Sequence, residues 1–249
     1  MDILIAASTD WLNTFYPAVQ AFLNSEPFHI YNAPWTLFPL IPFATFPWGR
    51  ELLFLASMGA LGFTAYRLGA SPFGVALFLL SPLVFDALLW GNVEWLALLG
   101  LAVSPWFGLV LLAIKPQMTI AVMAFLVIES WRKNGTRRTI CLLIPLAIVT
   151  LLSFAVFGLW FVESIGYKAT LDANLFPWSI PVGIVLFGLS LRTHNIRYAI
   201  AASPMFFYTL TPQCWMVVFL ALVPSLPKIS FASLSAWGYI AAAHLGLRF

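Results

Sequence analysis

Charge is what this chain has least of. Only 8% of its 249 residues are Asp, Glu, Lys or Arg, against 62% hydrophobic residues and a mean hydropathy of +0.95. Soluble domains carry about a quarter charged residues, so an ordinary soluble domain is excluded and an integral membrane protein is expected. There are two cysteines, Cys141 and Cys214, both inside apolar runs without metal-ligand spacing, which removes a disulfide framework and leaves two small buried hydrophobes. The three histidines, His29, His194 and His244, are scattered as loop or interfacial residues, and no metal site is expected. Nor is a secretory leader expected: Ile3–Ala7 is too short for an apolar core and follows an acid, Asp2. No internal repeat of the transporter kind is visible.

What the chain does have is long apolar runs. Lipid offers no partners for backbone N–H and C=O groups, so spanning elements are helices or a closed barrel. A run such as 139–162, TICLLIPLAIVTLLSFAVFGLWFV, is continuous and not alternating, which selects helices. The expected fold is all-α, a polytopic membrane helical bundle of about nine or ten spans, some short or broken, in a single transmembrane domain over 1–249. Its parts are an outer loop and interfacial helix over 8–49, core helices over 50–131 and C-terminal helices over 139–249.

Four of the twelve basic residues fall in WRKNGTRR, 131–138. The positive-inside tendency makes this loop cytoplasmic; a short loop between spans argues against a nucleic-acid partner, and the sequon Asn134-Gly135-Thr136 is silent on that side. Arg67 fits the same side. Spans then follow at about 51–66, 73–90, 95–103, 106–114, 118–131, 139–162, 179–191, 198–211, 214–226 and 231–247. Because Trp90–Glu94 and Lys115–Gln117 both belong outside, an even number of crossings separates them, which two short helices satisfy. VESIGYKATLDANLFPW, 162–178, is the longest polar stretch.

Upstream, Trp11, Phe15, Ala18 and Phe22 form one helical stripe opposite Asn13, Gln20 and Asn24, the pattern of a helix lying in the membrane interface. Pro27, Pro34, Pro39, Pro42 and Pro47 then break any continuous helix over 25–49.

On this topology Asp10, Arg50, Glu51, Glu94 and Lys115 gather at the outer face. Each has a plain reading and a chemical one. Asp10 after Ser8-Thr9 is a helix-start signal; equally, a carboxylate in a partly apolar pocket can act as a general base toward a sugar hydroxyl. Lys115 can snorkel or contact a lipid-linked phosphate. Gln117 and Asn92 can hydrogen-bond a sugar or phosphate. Asp86 is expected to pair with Arg50 or Lys115, and Glu94 to face either water or substrate. The tryptophans belong mainly to an aromatic belt.

The stretch TDWLNTFYPAVQAFLNSEPFHIYNAPWTLFPLIPFATFP resembles the first outer loop of the GT-C membrane glycosyltransferases, especially the polyprenyl-phosphate-mannose-dependent mannosyltransferases of glycosyltransferase family 87. The matching positions are Asp10, Tyr16, Tyr31, Pro34, Pro39 and Pro42. LLWGNVEWLALLGLAV and GLVLLAIKPQM extend the resemblance over roughly 8–130. It implies transfer of a mannose-like sugar from a polyprenyl-phosphate donor to an extracytoplasmic acceptor in a bacterial cytoplasmic membrane. Asp10 would be the base, Lys115 a donor-phosphate contact, and Gln117, Asn92, Glu94, Tyr16, Tyr31 and Arg50 further substrate contacts. No cofactor is implied beyond the lipid-linked sugar, and the partners are membrane lipid and the donor itself. Such enzymes have a helix before the loop acid, where this sequence has nine residues. That leaves a reduced homologue, a start further upstream, or a membrane partner supplying the helix. The rival reading is a non-catalytic GT-C-like membrane subunit that binds a lipid or a larger complex.

Overall fold

The computed structural model describes residues 10–28, 30–162 and 173–244, with side chains to 242; His29 and most of the polar stretch 162–178 lie outside the described residues. Among the described residues the chain is all-helical, with no strand. A π-helical turn, Trp11–Phe15, runs into α1, Tyr16–Leu23. After a 3-10 turn at Pro34–Thr36 come α2, Leu37–Thr45; α3, Gly49–Arg67; α4, Pro72–Leu79; α5, Pro82–Trp90; α6, Glu94–Leu99; and α7, Pro105–Leu112. The 42-residue α8, Pro116–Phe157, leads to α9, Ile180–Thr193, and α10, Ile196–Ala202. Two 3-10 turns, Ser203–Phe206 and Pro212–Trp215, then precede α11, Met216–Leu222, and α12, Leu226–His244.

Proline sets many of the starts. Pro72, Pro82, Pro105 and Pro116 each occupy the first helical position, where the missing N–H costs nothing and φ is already helical. Ser71 completes the cap of α4 by accepting from the Gly74 N–H at 3.1 Å. A break at Leu80–Ser81 bends α4 against α5 by 63°, so the expected span 73–90 is broken in its middle.

By length and composition, one helix is long and apolar enough to cross a membrane, α8, and the bent pair α4–α5 passes the same test when taken together. α8 is not straight. Gly135 has φ 74° and ψ 176°, a region almost confined to glycine. Around it the Thr139 hydroxyl donates to Ser130 Oγ at 3.2 Å, although nine residues of straight helix would separate them by about 13 Å. α8 is therefore a hairpin of two helical arms. The loop expected at 131–138 is instead helical up to and beyond a single glycine, because helix-forming Arg and Lys surround it.

The returning arm carries Phe157 back to the N-terminal segment, 5.9 Å from Phe28 and 6.2 Å from Phe22 between ring centroids. Much of its apolar surface is exposed, including Ile140, Ile148, Leu151, Leu152 and Val156. The stripe of the first helix behaves differently from the expectation: Trp11, Phe15 and Ala18 are at least 96% buried and Phe22 is half-buried. The stripe that suits a lipid interface is used inside the protein, where α2, α5 and the returning arm offer it apolar partners. Even Gln20 of the supposed polar face donates to the Ala44 carbonyl of α2, at 2.8 Å.

Charges separate along the bundle. At the bend of α8, Arg132 donates to the Leu191 carbonyl at 3.0 Å, and His194 Nδ1 lies 2.8 Å from Glu129 Oε1. Arg197 and Pro224 both approach Gly69, next to Arg67. This end thus collects Arg67, Arg132, Lys133, Arg137, Arg138, Arg192, Arg197 and Lys228, all exposed, with Glu129 the one acid among the described residues there. Asp10, Glu26, Glu51, Asp86 and Glu94 lie toward the other end.

Candidate functional site

α6 and α7 are six and eight residues long, roughly 9 and 12 Å, too short to cross about 30 Å of hydrocarbon. In place of the two expected crossings stands a short helical hairpin, closed by glycine: a Cβ on Gly100 would lie 2.7 Å from the Gly108 carbonyl oxygen, so only hydrogen lets the backbones meet. The hairpin returns the chain to the level at which it left. Glu94 opens α6 and Lys115 follows α7, and their side chains form a buried ion pair, with Glu94 1% and Lys115 5% exposed.

Asn92 joins this pair to Asp10. Its Oδ1 accepts from the Val93 N–H at 2.7 Å and from Lys115 Nζ at 3.4 Å. With Oδ1 so occupied, Nδ2 is turned outward and donates to Asp10 Oδ2 at 2.5 Å. The approach depends on Gly91, which ends α5 in the left-handed region at φ 67°; a Cβ there would lie 2.9 Å from Trp11 Cβ. Asp10 and Trp11 can close on Asn92 because that space is empty.

Burial raises the pKa of Asp10 to about 6. The Glu94 carboxylate pushes in the same direction, the Lys115 ammonium and Asn92 amide oppose it, and Asp86 adds a small upward push. An acid of this strength is part-ionised near neutral pH and can accept a proton from a hydroxyl held against it. The second Glu94 oxygen, Oε2, is buried with no hydrogen-bond partner among the described residues.

Of the remaining sequence candidates, Tyr16 stacks edge-on against Trp11 at 5.9 Å and is 40% exposed. Tyr31 is 46% exposed, and Gln117 sits half-buried in the first turn of α8. Arg50 pairs with its neighbour Glu51 at 2.8 Å, where the side chains are 18% and 40% exposed. Asp86 does not pair with Arg50 or Lys115 as expected. It accepts from Trp90 Nε1 at 2.9 Å, one helical turn away, and from Gln213 Nε2 at 2.6 Å. Neutral donors replace the cations because Lys115 is already taken by Glu94 and Arg50 by Glu51.

Gln213 is the residue that sequence reasoning missed, although a glutamine inside an apolar run, TPQCW, is itself a signal. Its 3-10 turn also carries Trp215, whose Nε1 donates to the Ala173 carbonyl at 2.9 Å, and Cys214, whose Sγ is 3.3 Å from Thr211 Oγ1. Cys214 is buried and Cys141 half-buried, both as free thiols. Beyond Ala173 opens an apolar groove of about 440 Å³ between Leu175, Phe176, Trp178, Val182 and Met205. One turn of chain thereby links the acid cluster to an apolar groove. His194, expected as a loop or interfacial residue, caps α9 and binds Glu129. Among the described residues no cluster of His, Cys, Asp and Glu has the makings of a metal site.

No model of a known protein family matches the chain, and no curated protein or solved structure does.

Proposed function

We propose that the chain is a multi-pass membrane glycosyltransferase of the GT-C kind, moving a mannose-like sugar from a polyprenyl-phosphate donor to an extracytoplasmic acceptor. The observation that carries this reading is the position of Asp10: its carboxylate is oriented by Asn92 beside the Lys115–Glu94 pair and is held at a pKa near 6. The bend of α8 faces the cytoplasm and Asp10 the opposite side, in the inner membrane of a bacterium.

In the proposed reaction Asp10 takes the proton of the acceptor hydroxyl. The resulting oxygen forms a bond to the sugar's anomeric carbon as the bond from that carbon to the phosphate oxygen breaks, and the electron pair leaves with the polyprenyl phosphate. A phosphate is already a good leaving group, so one carboxylate suffices. An ammonium has three N–H donors; with two directed at Glu94 and Asn92, the third serves the donor phosphate. Glu94, buried behind Lys115, holds the ammonium in place; Gln117 hydrogen-bonds sugar hydroxyls, Tyr16, Tyr31 and Arg50 line the approach, and the groove beside Trp178 holds the prenyl chain.

The test is transfer of labelled mannose from a polyprenyl-phosphate donor by the detergent-purified chain. Asp10→Asn keeps a group of the same size and is expected to lower the rate by about 10²–10⁴-fold while the chain still folds. Undiminished transfer would remove Asp10 from the mechanism. One observation favours the second reading, a non-catalytic membrane subunit: the returning arm of α8 exposes a long apolar face that a partner helix can cover. A stoichiometric membrane protein co-purifying with a transfer-inactive chain would decide for it.

A further inference from the structure

The eight cations at the bend of α8 are more than the chain needs internally. Glu129, 6% exposed, satisfies Lys133 at 2.9 Å, Arg132 at 3.6 Å and His194 at 2.8 Å. Among the described residues no carboxylate is left for Arg137, Arg138, Arg192, Arg197 or Lys228. They come from the returning arm of α8 and from α9, α10 and α12, so they form a surface and not a single helical stripe. Trp131, 59% exposed, lies on the same end, with its indole N–H 3.3 Å from Thr136 Oγ1.

A broad array of guanidinium groups next to an exposed tryptophan and a long apolar arm matches one chemistry: phosphate monoanions standing in a plane at the edge of a hydrocarbon layer. We infer that this end is a docking surface for the headgroups of anionic phospholipids, which bind Arg137, Arg138 and Arg192 through their phosphates while their chains lie along the returning arm. Guanidinium fits phosphate with paired N–H donors, and the exposed Ile140, Ile144 and Ile148 run away from the bend along the path an acyl chain would take. The inference rests on the membrane reading and not on sugar transfer.

The test incubates the purified full chain in neutral detergent with phosphatidylglycerol or phosphatidylcholine and counts retained lipids by native mass spectrometry. Phosphatidylglycerol is expected to be retained roughly tenfold better at low salt, with the preference shrinking in about 0.5 M salt. The triple variant Arg137→Gln, Arg138→Gln, Arg192→Gln is expected to lose at least tenfold of that binding, since each basic residue contributes on the order of a factor of five. The corresponding triple lysine variant keeps most of it, which separates charge from folding damage. Equal retention of the two lipids by the parent chain, or an unchanged glutamine variant, would overturn the inference. Millimolar inorganic phosphate is expected to leave the lipid bound; complete displacement by it would show a phosphate-ion site and overturn the lipid assignment. No sugar donor is present, so this outcome and that of the transferase assay are independent.

Discussion

The two ends of the bundle handle charge in opposite ways. At one end Asp10, Asn92, Glu94 and Lys115 are drawn from three stretches of sequence into a hydrogen-bonded set that is largely closed to solvent. At the other, eight basic residues stand exposed around one buried acid. Exposed ion pairs are worth about 0–1 kcal/mol each, whereas breaking a buried pair costs about 3–5 kcal/mol. The first end is therefore intolerant and positional, and the second tolerant and additive.

The largest effects are expected where the intolerant end meets chemistry. Transfer by the parent chain should rise with pH through an apparent pKa of about 6, since the base must be unprotonated. The residual activity of Asp10→Asn should lack that rise, and a pH–rate profile of both checks it. The raised pKa means that the folded chain holds a proton the unfolded chain has released, so stability contributed by Asp10 is present below about pH 4 and declines as pH rises to about 6. Thermal unfolding of the parent against Asp10→Asn reads that slope.

Next is Lys115→Met, which strands Glu94 and should cost about 3–5 kcal/mol in denaturant unfolding. Adding Glu94→Gln should restore most of the loss, and a double variant no better than the single would show that the pair is not the source of the cost. Gly91→Ala comes third, at about 1–2 kcal/mol for a left-handed alanine, and it also pushes Trp11 and with it Asp10 away from Asn92. A fall in transfer larger than the fall in stability is the expected signature. The smallest change belongs to the basic end: His194→Gly relieves a left-handed residue at φ 53° but loses the Glu129 contact, so the unfolding midpoint should hardly move. A loss there as large as that at Lys115 would erase the contrast between the ends.

Much of this contrast was legible in the sequence. The basic run marked the turn in α8, whereas Pro82, which starts a new helix inside the expected span 73–90, was not read as a start. Counting sides placed Asn92, Glu94 and Lys115 together before any geometry was known, because a short helical hairpin and a pair of true crossings return the chain to the same level. What stayed hidden depended on tertiary packing. Gln213 reaches Asp86 across 127 residues of sequence, and no periodicity encodes such a contact. The amphipathic stripe of Trp11 and Phe15 was visible, but amphipathicity states that a face will be covered and not whether lipid or protein covers it. His194 looked like an isolated loop residue, and its partner Glu129 lies 65 positions earlier.

The bend at Gly135 has a mechanical side. From that glycine to Phe157 the returning arm is about 33 Å of helix, hinged at a residue with no side chain to block rotation. A swing of about 10° there would carry the far tip some 6 Å. The rings of Phe22 and Phe28 stand at that tip, where a small force has the greatest torque, so a few aromatic contacts near the N-terminal segment hold in place a lever whose pivot lies at the opposite end of the protein.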